Sequence, residues 1–152
     1  MIKKKYKGRN LYELTQKECE EMFNVGKKTM KFTYPKANSG FSVAVMTKKG
    51  NIYPGVSYIS DTDTLTMHSE AIALAHAAVH GEKEIVAITG PNCHICKQLI
   101  WESSLRSGIE IVVVIKEKNK IKQIPISLLM PYPWPERNFQ KKLDKIKKNK
   151  IT

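Results

Sequence analysis

The sequence is poor in several features that mark large classes of protein. It has three cysteines in 152 residues, too few for a disulfide framework, and two of them stand as Cys93-x-x-Cys96. In a reducing compartment that spacing points to metal or redox chemistry. No uncharged run approaches the ~18 apolar residues of a membrane span, so a transmembrane helix is not expected. The opening Met1-Ile2-Lys3-Lys4-Lys5-Tyr6 is basic, but no apolar stretch or small-residue cleavage site follows it, and a cytoplasmic protein is expected. Internal repeats and low-complexity linkers are also lacking, which leaves room for one domain.

Acidic residues are scarce too, 14 against 26 Lys and Arg, for a net charge of +12. The imbalance lies at the ends. Residues 1–9 carry five basic groups and no acidic one, and residues 141–150 carry six lysines against Asp144, which leaves only +2 for the rest. Composition therefore divides the chain into a basic tail over 1–10, a nearly neutral domain over 11–138 and a basic tail over 139–152. In the last segment Phe139, Leu143 and Ile146 recur at helical spacing, which gives a short amphipathic helix. Nucleic acid is a possible partner of the tails, although charge runs are more often simply solvated.

Between the tails the pattern alternates. Asn10 with Glu13 reads as a capping pair for a helix over about 11–30. Phe41 to Met46 alternates, Lys49-Gly50-Asn51 supplies a turn, and Ile52 to Val56 resumes, which predicts a hairpin with Pro54 at a sheet edge. Thr66 can cap a helix over 67–80 that Gly81 ends. Ile85 to Ile88 reads as a buried strand, Cys93 to Leu105 as a helix stopped by Gly108, and Ile109 to Ile115 as a second strand, so the unit is a parallel crossover. The link 116–120 is too short for a helix, and Ile121 to Ile124 should return antiparallel. The expected class is α/β, a sandwich around a mixed sheet.

Two short segments carry the chemistry: Thr66-Met-His68-Ser-Glu70 and Gly90-Pro-Asn-Cys93-His-Ile-Cys96-Lys-Gln98. Both fall at helix starts that can face each other. One imidazole and two thiolates with a fourth position open to water is the donor set of catalytic zinc, and Glu70 is placed to shuttle protons over the open position. Alone, the C-x-x-C also fits a redox pair or a structural zinc knuckle. His94, His76 and His80 read as helix residues outside the site, and Cys19 as a structural thiol.

These segments resemble the H-x-E…P-C-x-x-C signature of the zinc-dependent cytidine deaminase and blasticidin S deaminase family. Phe41-Ser-Val43-Ala44 is similar to the family's F-x-V-G strand, Gly50 to Gly55 to its G-x-I-x-x-G hairpin, Cys93 to Glu102 to C-x-x-C-R-Q-x-x-x-E, and Leu128 to Pro131 to its L-L-P. The interval from Gly55 to Glu70 also matches, and the resemblance covers about residues 11–134. It implies a three-layer sandwich with a mixed five-stranded sheet whose last strand is antiparallel. It also implies Zn2+ on His68, Cys93 and Cys96, Glu70 as the catalytic acid and base, and substrate contacts at Phe41, Ser57 and Ser69. The implied activity is hydrolytic release of ammonia from an aminopyrimidine nucleoside. Ala71 follows the glutamate where the three-thiolate branch has arginine, in agreement with a neutral histidine-containing site.

The sequence departs from the family in three places. The ribose-binding N-x-E falls on Ser57-Tyr58-Ile59, Asn92 separates Pro91 from Cys93, and Ser69 replaces a small alanine. A specialised deaminase of a cytosine-containing antibiotic or another amino-heterocycle is therefore the second reading, and an RNA-binding or RNA-editing deaminase the third. The resemblance also implies a homotetramer, with a dimer as the fallback. Tyr132 and Trp134 are then either surface residues or the aromatics that close a neighbouring chain's pocket.

Overall fold

Successive side chains of a strand point to opposite faces, so the run Val43-Ala44-Val45-Met46 serves two cores at once. In the computed structural model, which describes residues 1–36 and 40–136, Ala44 and Met46 pack with Met22, Val112 and Val114 on one face of a sheet. Val43 and Val45 pack with Ala73, Ala77, Ile100 and Val113 on the other. The sheet has five strands in the order β4 (Ile52–Val56), β3 (Ser42–Thr47), β5 (Ile85–Thr89), β7 (Val112–Glu117), β8 (Lys120–Pro125). Helix α1 (Gln16–Thr29) supplies Cys19 and Met22 to the first face, and α2 (Ser69–Val79) and α3 (His94–Ser107) cover the second. This is the expected three-layer sandwich with a mixed five-stranded sheet: β5 and β7 run parallel, and β8 returns antiparallel to β7. Pro54 lies on the edge strand β4, where its missing N–H costs no ladder bond on the open side.

The N-terminal region differs from expectation. Residues 1–10 are not a free tail: β1 (Ile2–Tyr6) and β2 (Arg9–Glu13) form an antiparallel hairpin, and β2 pairs in parallel with β6 (Ile109–Glu110). The turn is Lys7-Gly8, both at positive φ of 45° and 79°, the conformation that joins twisted strands in two residues. Arg9 was counted with the solvated charge, yet its guanidinium donates to Glu110 at 3.3 Å and to the carbonyls of Ser104 and Ile109. Glu110 is fully buried and also accepts from the Ser127 N–H. Buried charges persist only when paired and hydrogen-bonded, and this pair ties the hairpin to the body.

The first helix consequently starts later than about residue 11. Its capping box is Thr15 with Glu18, not Asn10 with Glu13, because Leu11 and Tyr12 are spent on strand pairing. The expected strand over 109–115 divides at Ile111, with β6 serving the small sheet and β7 the large one. The segment holding Phe139, Leu143 and Ile146 lies outside the described residues. No helix among the described residues is long and apolar enough to cross a membrane.

Candidate active site

Two helix starts build the site. His68 is the N-cap of α2 and Cys93 the N-cap of α3, each with extended backbone (ψ 147° and 169°), and neither side chain caps its helix. Side chains at these positions ordinarily turn back onto the first-turn N–H groups. Here they turn toward each other. His68 Nδ1 lies 3.5 Å from Cys93 Sγ and 3.2 Å from Cys96 Sγ, and the three ligand atoms all lie within 4.8 Å of one another. The approach to His68 is pinned by paired backbone bonds between Tyr58 and Met67, at 3.0 and 2.9 Å. Thr66, the expected cap, instead accepts from the Ser60 N–H, which closes the preceding loop.

The donor set fits zinc. Tetrahedral coordination at Zn–S ~2.3 Å and Zn–N ~2.0–2.1 Å spaces neighbouring ligand atoms by about 3.6 Å, close to the spacings present. Two thiolates balance the charge of the ion. Without metal, burial pushes the Cys96 thiol well above its ordinary range, helped by the Cys93 sulfur and the Glu70 charge. A metal ion must therefore displace that proton, which couples uptake to proton release. Cys19, by contrast, is wholly buried among apolar groups. Burial and the Glu18 and Glu20 charges raise it to about 11, so it is a structural thiol. His94 is exposed and stands outside the ligand group.

Glu70 projects from the first turn of α2 and is 7% exposed. Its two oxygens are held separately: the Ser69 hydroxyl donates to Oε2 at 3.1 Å and the Asn92 amide to Oε1 at 3.0 Å. The Asn92 contact was missed in the sequence. Only its position beside Cys93, a candidate metal ligand, signalled it, and no spacing rule predicts a side-chain amide reaching 22 residues back.

The glutamate, the histidine and Cys93 line one end of a cavity of about 530 Å³, together with Phe41, Ser57 and Ser69. Of the seven residues singled out in the sequence, six line the cavity and Cys96 is buried. Their roles are unequal. Phe41 stands exposed at the mouth. Ser57 is buried, and its hydroxyl already accepts the Phe41 N–H at 3.0 Å. The Ser69 hydroxyl bonds Glu70, leaving its main chain for any ligand. Ile59 and Met30 add apolar wall, and Asp63 adds a carboxylate from the loop before α2; neither Met30 nor Asp63 had been singled out by the sequence pattern.

Gly55 explains how α2 comes so near. A Cβ built there would lie 2.1 Å from the Ser69 carbonyl oxygen and 2.3 Å from the Ala73 nitrogen. Only glycine lets the edge strand touch the helix backbone at the turn that carries Glu70. On the far side of α3, Trp101 Nε1 donates to the Pro135 carbonyl at 2.8 Å and Gln98 to that of Trp134. These bonds hold the C-terminal proline-rich segment while Tyr132 and the Trp134 ring remain exposed.

No family model matches the sequence, and no curated protein matches it. Solved structures do. The chain is similar to a cytidine deaminase from Burkholderia pseudomallei at TM-score 0.65 and 19% identity, over 80% of this chain and 100% of that one. It is similar to the cytidine deaminase from Mycobacterium tuberculosis at TM-score 0.64 and 13% identity, over 77% and 97% of the two chains. The cytidine deaminase from Bacillus anthracis matches at TM-score 0.59 and 20% identity, over 88% and 99%. At such identities the likeness establishes the fold, which is cytidine deaminase-like.

Proposed function

We propose that the protein is a zinc-dependent hydrolytic deaminase of an aminopyrimidine nucleoside or a close analogue. The observation that carries this reading is the convergence of His68, Cys93 and Cys96 with the buried Glu70 beside one cavity. His68, Cys93 and Cys96 would hold the ion. Zinc bound there would supply Lewis acidity that lowers the pKa of a bound water to ~7. Glu70 takes the proton from the attacking water as oxygen adds to the amino-bearing ring carbon. It passes that proton to the ring nitrogen, then takes the second proton from the added hydroxyl and gives it to the amino group as the C–N bond breaks, so that water and amine become carbonyl and ammonia. The cavity wall of Phe41, Val43 and Met30 suits a flat heterocycle.

A second reading, a specialised deaminase acting on an amino-heterocycle that lacks an ordinary ribose, is favoured by Ile59. Its side chain lines the cavity and has no polar atom for a sugar hydroxyl. The exposed Phe41, Leu65 and Trp134 are apolar surface that an assembly of like chains would cover, and we propose a homotetramer with a dimer as the fallback.

The test combines metal analysis with ammonia release on cytidine, deoxycytidine, cytosine and blasticidin S. The expected result is one zinc per chain and turnover of at least one of these compounds. Protein purified without chelators that holds no zinc, or that releases no ammonia from any of them, overturns the proposal. Turnover of blasticidin S or cytosine in preference to both nucleosides selects the second reading.

A further inference from the structure

The Asn92 side chain joins three elements. Its Nδ2 donates to Glu70 Oε1 at 3.0 Å and to the Thr89 carbonyl at 3.1 Å. Both partners can only accept, so both amide hydrogens are committed and the orientation of the group is fixed. The residue is 7% exposed, and its Oδ1 has no partner among the described residues. A buried amide that leaves its oxygen unsatisfied in order to aim its nitrogen is held there by the two bonds it makes.

The anchor is rigid. Thr89 ends β5 in the middle of the sheet, paired with Val114 of β7. Its Oγ1 accepts the Ala44 N–H of β3 at 2.9 Å, and the next residue, Gly90, donates to the Val114 carbonyl at 2.9 Å. Ser69, the other donor to Glu70, rides on the same helical turn as the glutamate and moves with it. Asn92 is the donor that ties the carboxylate to the sheet and to the start of α3, which carries Cys93 and Cys96.

We infer that Asn92 is a positioning residue for the deamination: its amide holds the Glu70 carboxylate at the distance and angle from which it exchanges protons with water and substrate. The inference rests on the deaminase reading. It belongs to this chain in particular, because the family that the sequence resembles has proline directly before the first cysteine, and proline has no side-chain donor. Proton transfer depends steeply on placement, and a shift of about 1 Å in a catalytic group can cost about a hundredfold in rate.

The experiment uses the full-length zinc-loaded protein with whichever substrate the panel above identifies. Zinc per chain, melting temperature, kcat and KM are compared among wild type, Asn92→Ala, Asn92→Asp and Asn92→Gln. Asn92→Ala and the isosteric Asn92→Asp should keep zinc and fold, and should lose about 10- to 100-fold in kcat with KM changed less than about threefold. Asn92→Gln, which retains an amide donor, should recover part of that loss. As a readout independent of activity, a crystal structure of zinc-free Asn92→Ala should show the Glu70 carboxylate turned away from its wild-type position. Unchanged kcat in Asn92→Ala and Asn92→Asp overturns the inference. So does an unmoved Glu70, or a loss of zinc or fold in every Asn92 variant, which would make the residue structural. A wild type that deaminates nothing overturns the parent reading, whereas an active wild type with indifferent Asn92 variants overturns this inference alone.

Discussion

At the end of the cavity marked by the buried Glu70, its inner end, Glu70 and Cys96 and the more exposed His68 and Cys93 sit on the starts of two helices, their backbones fixed by α2 against β4 and by α3 against β5. At the mouth Phe41, Ile59 and Asp63 sit on connections. The inner residues each answer to several partners, so a change at one displaces the others. The mouth residues answer mainly to whatever enters. On the deaminase reading, the chemical step and the choice of substrate are therefore built on different kinds of structure, one coupled and one open to variation.

The comparison breaks first if the inner end tolerates substitution. Glu70→Gln keeps the shape of the side chain and its room between Ser69 and Asn92, but removes the carboxylate to which the proposed mechanism gives the proton transfer. Ammonia release should fall about 10²- to 10⁴-fold with zinc content unchanged. A variant that retains wild-type kcat would mean that Glu70 has no part in proton transfer. Removal of zinc by a chelator should abolish turnover, and added zinc should restore it.

Next in size is Gly55→Ala, which tests whether the mutual fixing is mechanical. The added methyl meets backbone atoms of Ser69 and Ala73 at 2.1 and 2.3 Å, and a helix backbone cannot step aside as a flexible side chain would. Either α2 lifts from β4 or the strand bends. Overpacking of this kind costs about 1–3 kcal/mol, and a lowered melting temperature should accompany weaker zinc binding as His68 moves away from the two cysteines. A variant with wild-type stability and zinc affinity would show that the close approach does not set the site.

The same contrast governs how much was legible in the sequence. His68-x-Glu70 and Cys93-x-x-Cys96 could be read because a metal ion constrains both residue type and helical spacing, and Gly55 because a backbone contact admits one residue only. The core strands could be read from the alternation of Phe41 to Met46 and the apolar run Ile85 to Ile88, and their five-stranded arrangement from the family resemblance. The N-terminal hairpin was not. Lys3, Lys4 and Lys5 give no strand period, and nothing local distinguishes Arg9 from its basic neighbours; its partner Glu110 lies 101 residues away. The same holds for Asn92 and for Asp63, whose places depend on how distant loops close. Local signals report what a residue must be, whereas pairings across the chain become visible only once the elements are assembled.

The smallest expected effect is at the mouth, and it sharpens the comparison most. Ile59 is half-buried, lines the cavity, and has its backbone N–H fixed to the Tyr34 carbonyl at 2.7 Å, so a new side chain there should leave the main chain in place. Ser57 is a poorer site for the experiment, because its hydroxyl supports the Phe41 N–H and any replacement disturbs the wall as well as the contact. Ile59→Glu places an acceptor where the sequence resemblance expects one for ribose. Hydrogen bonds to charged groups contribute about 1.5–3 kcal/mol, but a carboxylate at the open mouth also exchanges with water, so a gain of about tenfold in kcat/KM for cytidine relative to free cytosine is the expected outcome. Because cytosine has no sugar, the ratio isolates ribose recognition from any general change in rate. Melting temperature and zinc content should stay at wild-type values, since Ile59 stands on a connection and is not one of the candidate zinc ligands. If the ratio does not move, ribose is read elsewhere, and Asp63, on the same connection between β4 and α2, becomes the next position to change. If melting temperature or zinc content falls together with the rate, the mouth is coupled to the inner end after all, and the division between chemistry and choice fails.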